Sequence, residues 1–238
     1  MAHAGSGSAG ATAERFAAGS LWLLPVFGLL LALSTLTHEP DRATDFEGYA
    51  RYVTTDVFVV SHLVGSIVGA GLGAVGAVGV AVLLARTRHA AGALTGAALT
   101  ILAAVLLAAT FGGAVFAQPG IGRAHLAGVA GMADLNADTV YGAPRVLTAM
   151  AATLLLVASA VVLGVAVART ARPLRWLGVG YAGTLTLFAV VSIAFSALQP
   201  VVAALFTVVA VLLAVRLPRE VRRPEAASTR ADAPARPA

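Results

Sequence analysis

Cysteine is absent from the 238-residue chain, which removes disulfides, thiolate metal sites and cysteine nucleophiles together. Lysine is absent as well: all 16 basic residues are arginines, set against 11 Asp and Glu. Charged residues make up only 11% of the chain and hydrophobic ones 59%, with a mean hydropathy of +0.89. A water-soluble globule of this length needs far more polar surface. Aromatics are scarce, at 9 Phe, 4 Tyr and 2 Trp, whereas glycine reaches 25. Small residues, not bulky ones, therefore set how closely helices approach. The formal charge of +5 is in such a chain first a topology signal, and it gives no ground for a nucleic-acid partner.

What is present is a series of long apolar runs. The spacing predicts an all-α fold: one bundle of six transmembrane helices over residues 19–217, with spans near 20–36, 57–84, 91–117, 146–167, 177–198 and 201–217. Each can cross a hydrocarbon core of about 30 Å, which takes about 20 helical residues. The run from Leu21 to Leu36 has the length of a signal-peptide core, but no small-x-small cleavage pattern follows it, so a retained first span is expected. The last two spans are separated only by Gln199 and Pro200. A single helix from Leu177 to Leu217 would be about 60 Å long, two membrane thicknesses, so a turn is expected there. Residues 1–18, rich in Ala, Gly and Ser, read as a flexible cytoplasmic start. Residues 218–238, rich in Arg, Pro and Ala, read as a disordered cytoplasmic tail.

Arginine placement supports six spans. With the N-terminus inside, 12 of the 16 arginines fall on inner segments and only Arg42, Arg51, Arg123 and Arg145 on outer ones. A five-span arrangement would put the arginine-rich tail outside. The chain thus reads as a multi-pass protein of a bacterial inner (plasma) membrane with both termini in the cytoplasm. Its first partner is the lipid bilayer. Arg216, Arg219, Arg222 and Arg223 form a juxtamembrane cluster suited to anionic lipid.

Two outer segments are long enough to hold structure. In residues 37–56, Phe46, Tyr49 and Tyr52 are spaced so that a short helix rests its aromatic side on the interface. In residues 119–145 an interfacial helix is expected near Ala124–Leu135. Ala85-Arg86-Thr87 to Gln118-Pro119 and Ala168-Arg169-Thr170 to Gln199-Pro200 form a weak internal repeat, 33 and 31 residues from Ala to Gln. A true parallel repeat of this kind occurs in some transporters.

Span two places Ser61, Gly65, Gly69, Gly73, Ala77, Ala81 and Ala85 at every fourth position. Span three does the same with Gly92, Gly96, Thr100, Ala104, Ala108 and Gly112. These stripes predict a tight hairpin between the two spans. His62 is the one ionisable group set well within an apolar run, and an intramembrane ionisable group is a functional candidate by default. Its ordinary reading is a neutral imidazole bonded to a neighbouring helix. His38 and His125 also fall on the outer side and, with Asp41, Asp45 or Asp56, are candidate metal ligands, although none lies at ligand spacing with another; no metal or cofactor is expected. Gln118 and Gln199, each before a proline, are expected to cap outer helix ends or to line an outward vestibule; with His62 they make the candidate polar membrane site. HExxH, GxSxG and Walker A patterns are absent, which leaves hydrolase chemistry without visible machinery.

The Tyr49–Gly69 stretch YARYVTTDVFVVSHLVGSIVG, the Phe116–Ala124 stretch FAQPGIGRA and the order of spans resemble a loose set of six-helix integral membrane proteins of GC-rich, actinobacterial-type bacteria. The resemblance implies the fold and no activity. The functional expectation is a non-enzymatic binding or interaction component, alone, as a homo-oligomer or with a protein partner. The alternatives are a small-molecule transporter and a membrane redox or metal protein built on His62.

Overall fold

The structure, a computed structural model of the chain, describes residues 6–37 and 39–231. It is helical throughout, and six of its helices are long and apolar enough to cross a membrane: Gly10–Ser34, Asp56–Leu84, Ala90–Leu126, Ala143–Thr170, Arg172–Ala194 and Ser196–Arg222. In chain order the elements are α1 (Ser6–Ser20), α2 (Leu23–Ser34), α3 (Phe46–Val53) and α4 (Asp56–Val60), then a π-helical segment (Ser61–Val68) that runs into α5 (Gly69–Leu84). They continue with α6 (Ala90–Leu126), α7 (Met132–Thr139), α8 (Ala143–Thr170), α9 (Arg175–Ala194) and α10 (Gln199–Ala231).

The six spans form a ring: each packs on the next in sequence, and α10 closes the circle against α2. One end of the ring carries α3 and α7 and is called the cap end here. The other carries the links between α5 and α6 and between α8 and α9 and is called the basic end. Toward the basic end the ring is filled solid by Leu21, Leu84, Leu163, Leu174, Leu213 and Leu217, each 0 to 1% exposed. The outward faces keep large apolar residues exposed, among them Leu154 and Val208, as lipid-facing surface does. Trp22 and Trp176 stand exposed near the basic end, where aromatic belts sit at a membrane surface.

Glycine sets the helix contacts, but the partners differ from those expected. The span-two stripe faces α2 and not α6: a Cβ on Gly65 would lie 2.5 Å from the Ser34 Cβ, and one on Gly73 would lie 2.9 Å from the Phe27 Cδ1. Gly96 of α6 meets the Leu163 backbone of α8 in the same way, at 3.0 Å from its nitrogen. Each stripe thus seats the span on its far side, because a ring gives every helix two neighbours where a hairpin gives one.

Other boundaries also move. The start expected to be flexible is helical from Ser6, with Ala17 fully buried and Glu14 paired to Arg86 at 3.2 Å. The tail expected to lack structure continues α10 through Ala231. The break between α9 and α10 falls at Phe195–Leu198, through a short 3-10 turn, and Gln199-Pro200 opens α10. Proline fits there because the first helical turn needs no N–H from it. Gln118-Pro119, by contrast, lies inside α6, which runs on to Leu126. The two dipeptides that closed the proposed repeat therefore occupy unlike positions. The interfacial helix expected at Ala124–Leu135 is replaced by the end of α6, a turn with positive φ at Gly128 and Gly131, and α7.

Candidate functional site

The cap end of the ring is hollow. A cavity of about 790 Å³ opens between the end of α2 and the α9–α10 turn, and residues from all six spans line it. Its walls are apolar with scattered hydroxyls: Leu31, Leu107, Phe111, Leu156 and Phe188 alternate with Ser66, Thr153 and Ser192. The Thr153 and Ser192 hydroxyls donate to carbonyls four residues back, at 2.8 and 2.7 Å, whereas Ser66 has no partner among the described residues. The floor is Phe27, whose ring meets Phe206 edge-on at 5.7 Å; Phe206 in turn touches Tyr181 at 5.7 Å. Under that floor a void of about 20 Å³ reaches Thr100 and Tyr181, and below it the core is closed.

A second, polar cavity of about 340 Å³ adjoins the first beneath the loop at Glu39–Arg42. Glu39, His62 and Phe111 line both, so the two spaces meet at His62. Its ring lies 4.1 Å from that of Phe58 and 5.8 Å from that of Phe111. Nδ1 approaches the Phe58 carbonyl at 2.9 Å, and the Ser61 hydroxyl donates to the same oxygen at 3.0 Å. Two side chains thus converge on one carbonyl where the helix widens into its π turn, the kind of competition that loosens a helical ladder. Donation from Nδ1 leaves Nε2 as an acceptor, and Nε2 has no partner among the described residues. The bonded carbonyl lies on the histidine's own helix, one turn back, and not on a neighbouring helix as expected, and the ring lines both cavities.

Tyr141 is the hub of the polar cavity. Its hydroxyl meets the Tyr49 hydroxyl at 3.2 Å, accepts from the Gln118 amide at 3.1 Å and donates to a Glu39 carboxylate oxygen at 3.3 Å. Two guanidinium groups lie over its ring, Arg42 at 3.5 Å and Arg145 at 4.6 Å from the centroid, each held by cation–π attraction. Gln118 is only 1% exposed; of the two places expected of it, a helix cap or a vestibule wall, it does not cap, since it lies inside α6, donates to Tyr141 and lines the polar cavity. Gln199 lies in the wall of the large cavity at the start of α10.

The cap positions these groups. Asp45 accepts from the Gly48 N–H at 2.8 Å to start α3. Tyr49 and Val53 then turn inward, 1% and 0% exposed, so the aromatic side packs on α6 and not on the membrane interface as expected. A Cβ on Gly122 would strike the Ala50 carbonyl at 2.9 Å, so glycine is what lets α3 lie directly on α6. Burial, with the Tyr141 hydroxyl as second cause, pushes the Tyr49 phenol well above its ordinary range. On the cap surface Glu47 bonds Arg51 at 2.8 Å and His125 at 3.3 Å, and the Arg51 hydrogen bond holds its carboxyl below the usual value.

His125 is thereby committed to Glu47 and to the Phe46 ring, 4.8 Å away. His38 lies outside the described residues. Among the described residues no cluster of three His or carboxylate side chains comes together. Tyr141, Glu39, Arg42 and Arg145 are the residues that sequence reasoning missed. Their available signal was that Arg42 and Arg145 are two of only four arginines on the face that the arginine bias disfavours. No family model, curated protein or solved structure matches the chain.

Proposed function

We propose that this is a multi-pass protein of a bacterial plasma membrane, with both termini in the cytoplasm, that binds an amphipathic small molecule at its extracytoplasmic cap end. It acts as a non-enzymatic binding component. The observation that carries the reading is the hollow half-ring: about 790 Å³ of mostly apolar space joined at His62 to a polar chamber. Pockets of roughly 300–1,000 Å³ take drug-sized ligands, with few polar groups setting orientation.

The rim supports access from the outer leaflet. Leu36 and Ile193 line the opening and are 64% and 83% exposed, so the mouth offers apolar contacts continuous with lipid. The orientation rests on the arginine bias. Arg216, Arg219 and Arg222 are exposed on α10 at the basic end, where they would meet anionic headgroups of the inner leaflet; Arg223 follows them in sequence.

The test is binding of a fluorescent single-chain amphiphile to the purified protein in nanodiscs. Saturable binding that is lost in Thr153→Trp, which fills the cavity while the helical fold is retained, supports the reading. Binding that never saturates, or that Thr153→Trp leaves intact, refutes it. A transporter reading is favoured by one observation, the small void that continues under the Phe27 floor to Tyr181. It requires passage of bound probe through the basic half, which vesicle uptake measures.

A further inference from the structure

We infer that the ligand carries an oxyanion, a carboxylate or phosphate, on a single apolar chain, and that Arg145 and Arg42 hold it. This deepens the binding role proposed above and rests on it. The argument is an account of donors and acceptors around the polar chamber. Both of its carboxylates are engaged: a Glu39 oxygen takes the Tyr141 hydroxyl, and Asp41 takes the Ala43 N–H at 2.9 Å. Its two guanidinium groups are not. Arg42 makes no hydrogen bond among the described residues and only lies over Tyr141. Arg145 donates Nε alone, at 3.5 Å to the Thr110 carbonyl, which leaves both terminal nitrogens open. Neither arginine pairs with a carboxylate among the described residues.

Arg145 is half-buried and projects from the first turn of α8. A cation set into the ring without a counter-ion is costly unless something anionic completes it. The planar fork of a guanidinium suits the paired oxygens of a carboxylate or phosphate. Tyr141 fixes both forks by stacking, so little freedom is lost when an oxyanion arrives. Both arginines line the small chamber, and His62 and Phe111 connect that chamber to the apolar cavity. A headgroup held at Arg145 therefore sends its chain past His62 toward Phe27.

The experiment measures the affinity of the full-length protein in nanodiscs for four probes of equal chain length: an alkyl phosphate, an alkanoate, an alkanol and an alkyltrimethylammonium. Inorganic phosphate serves as a competitor. The inference expects both anionic probes to bind at least about tenfold tighter than the alkanol, the value of about one charge-assisted hydrogen bond. Arg145→Gln abolishes that preference, weakening the anionic probes far more than the alkanol, and Arg42→Gln, at the exposed rim, reduces it less. Inorganic phosphate at millimolar concentration leaves the probes in place if a chain-bearing anion is the ligand; full displacement by phosphate overturns the single-chain assignment. Preference for the ammonium probe, lost in Glu39→Gln, overturns the oxyanion. Failure of every probe to bind overturns the binding role itself, a result distinct from equal binding of all four, which overturns only the headgroup assignment.

Discussion

The Tyr49 and Tyr141 hydroxyls stand 3.2 Å apart although 92 residues of chain separate them. This pair ties α3, and through it the loop after α2, to the start of α8. Because Tyr141 also receives the buried Gln118 amide, its removal strands a donor. Tyr141→Phe should lower stability by about 1–3 kcal/mol, the cost of an unsatisfied buried polar group. Tyr49→Phe should cost less. The double variant should show a coupling of about 1 kcal/mol in a double-mutant cycle, read by reversible denaturant unfolding in micelles; strict additivity would mean that the two hydroxyls do not interact.

Alkaline pH should loosen the cap through Tyr49. Its phenol titrates above the ordinary value because burial disfavours the phenolate. An unfolded chain releases that proton near pH 10, so the stabilisation is fully present below that pH. It is lost as pH rises from there toward the folded-state value. Near-ultraviolet tyrosinate absorbance should show slow groups that titrate only as the fold opens, because Tyr49 and Tyr181 are both buried, and Tyr49→Phe should remove one of them. Prompt titration of every tyrosine in the intact fold contradicts the burial.

Glycine positions should divide sharply. A Cβ at Gly164 would sit 2.5 Å from the Gly178 carbonyl oxygen, whereas one at Gly71 would meet nothing within 4 Å. Gly164→Ala should therefore force α8 from α9 and destabilise by about 1–3 kcal/mol. Gly71→Ala should be neutral or stabilise by up to about 1 kcal/mol through helix propensity. Equal effects at the two sites, measured by thermal unfolding, would remove the close-contact account of the ring.

The missing cysteines make orientation easy to read. Asp134→Cys on α7 should react with a membrane-impermeant thiol reagent added to intact cells, while Arg172→Cys at the basic end should react only after lysis. The reverse pattern would invert the proposed topology.

Span number and approximate limits were legible in the sequence because a membrane demands long apolar runs and leaves few other solutions. The ring was not legible. The stripe at Gly65, Gly69 and Gly73 shows that a backbone will approach closely, but not which one, and α2 took the place expected of α6. The two glutamine–proline pairs looked alike, yet Pro119 continues a helix and Pro200 begins one. That difference comes from α6 extending beyond the membrane-length run to support α3. His62 was legible as an unusual residue, but its neighbours were not, because Glu39, Tyr141 and Arg145 meet it only through the cap. The arginines that oppose the charge bias, Arg42 and Arg145, were the overlooked sign: placement against a strong topological preference calls for a local reason.

The most direct test of the central claim, a ligand-accessible hollow at the cap end of a closed helix ring, is the reactivity of Ser66→Cys, the sole thiol in the chain, toward a small impermeant thiol reagent. The account predicts modification from the extracytoplasmic side that a saturating single-chain amphiphile suppresses and that Thr153→Trp slows. A thiol that stays inert in the folded protein, or reacts equally with and without amphiphile, would contradict it.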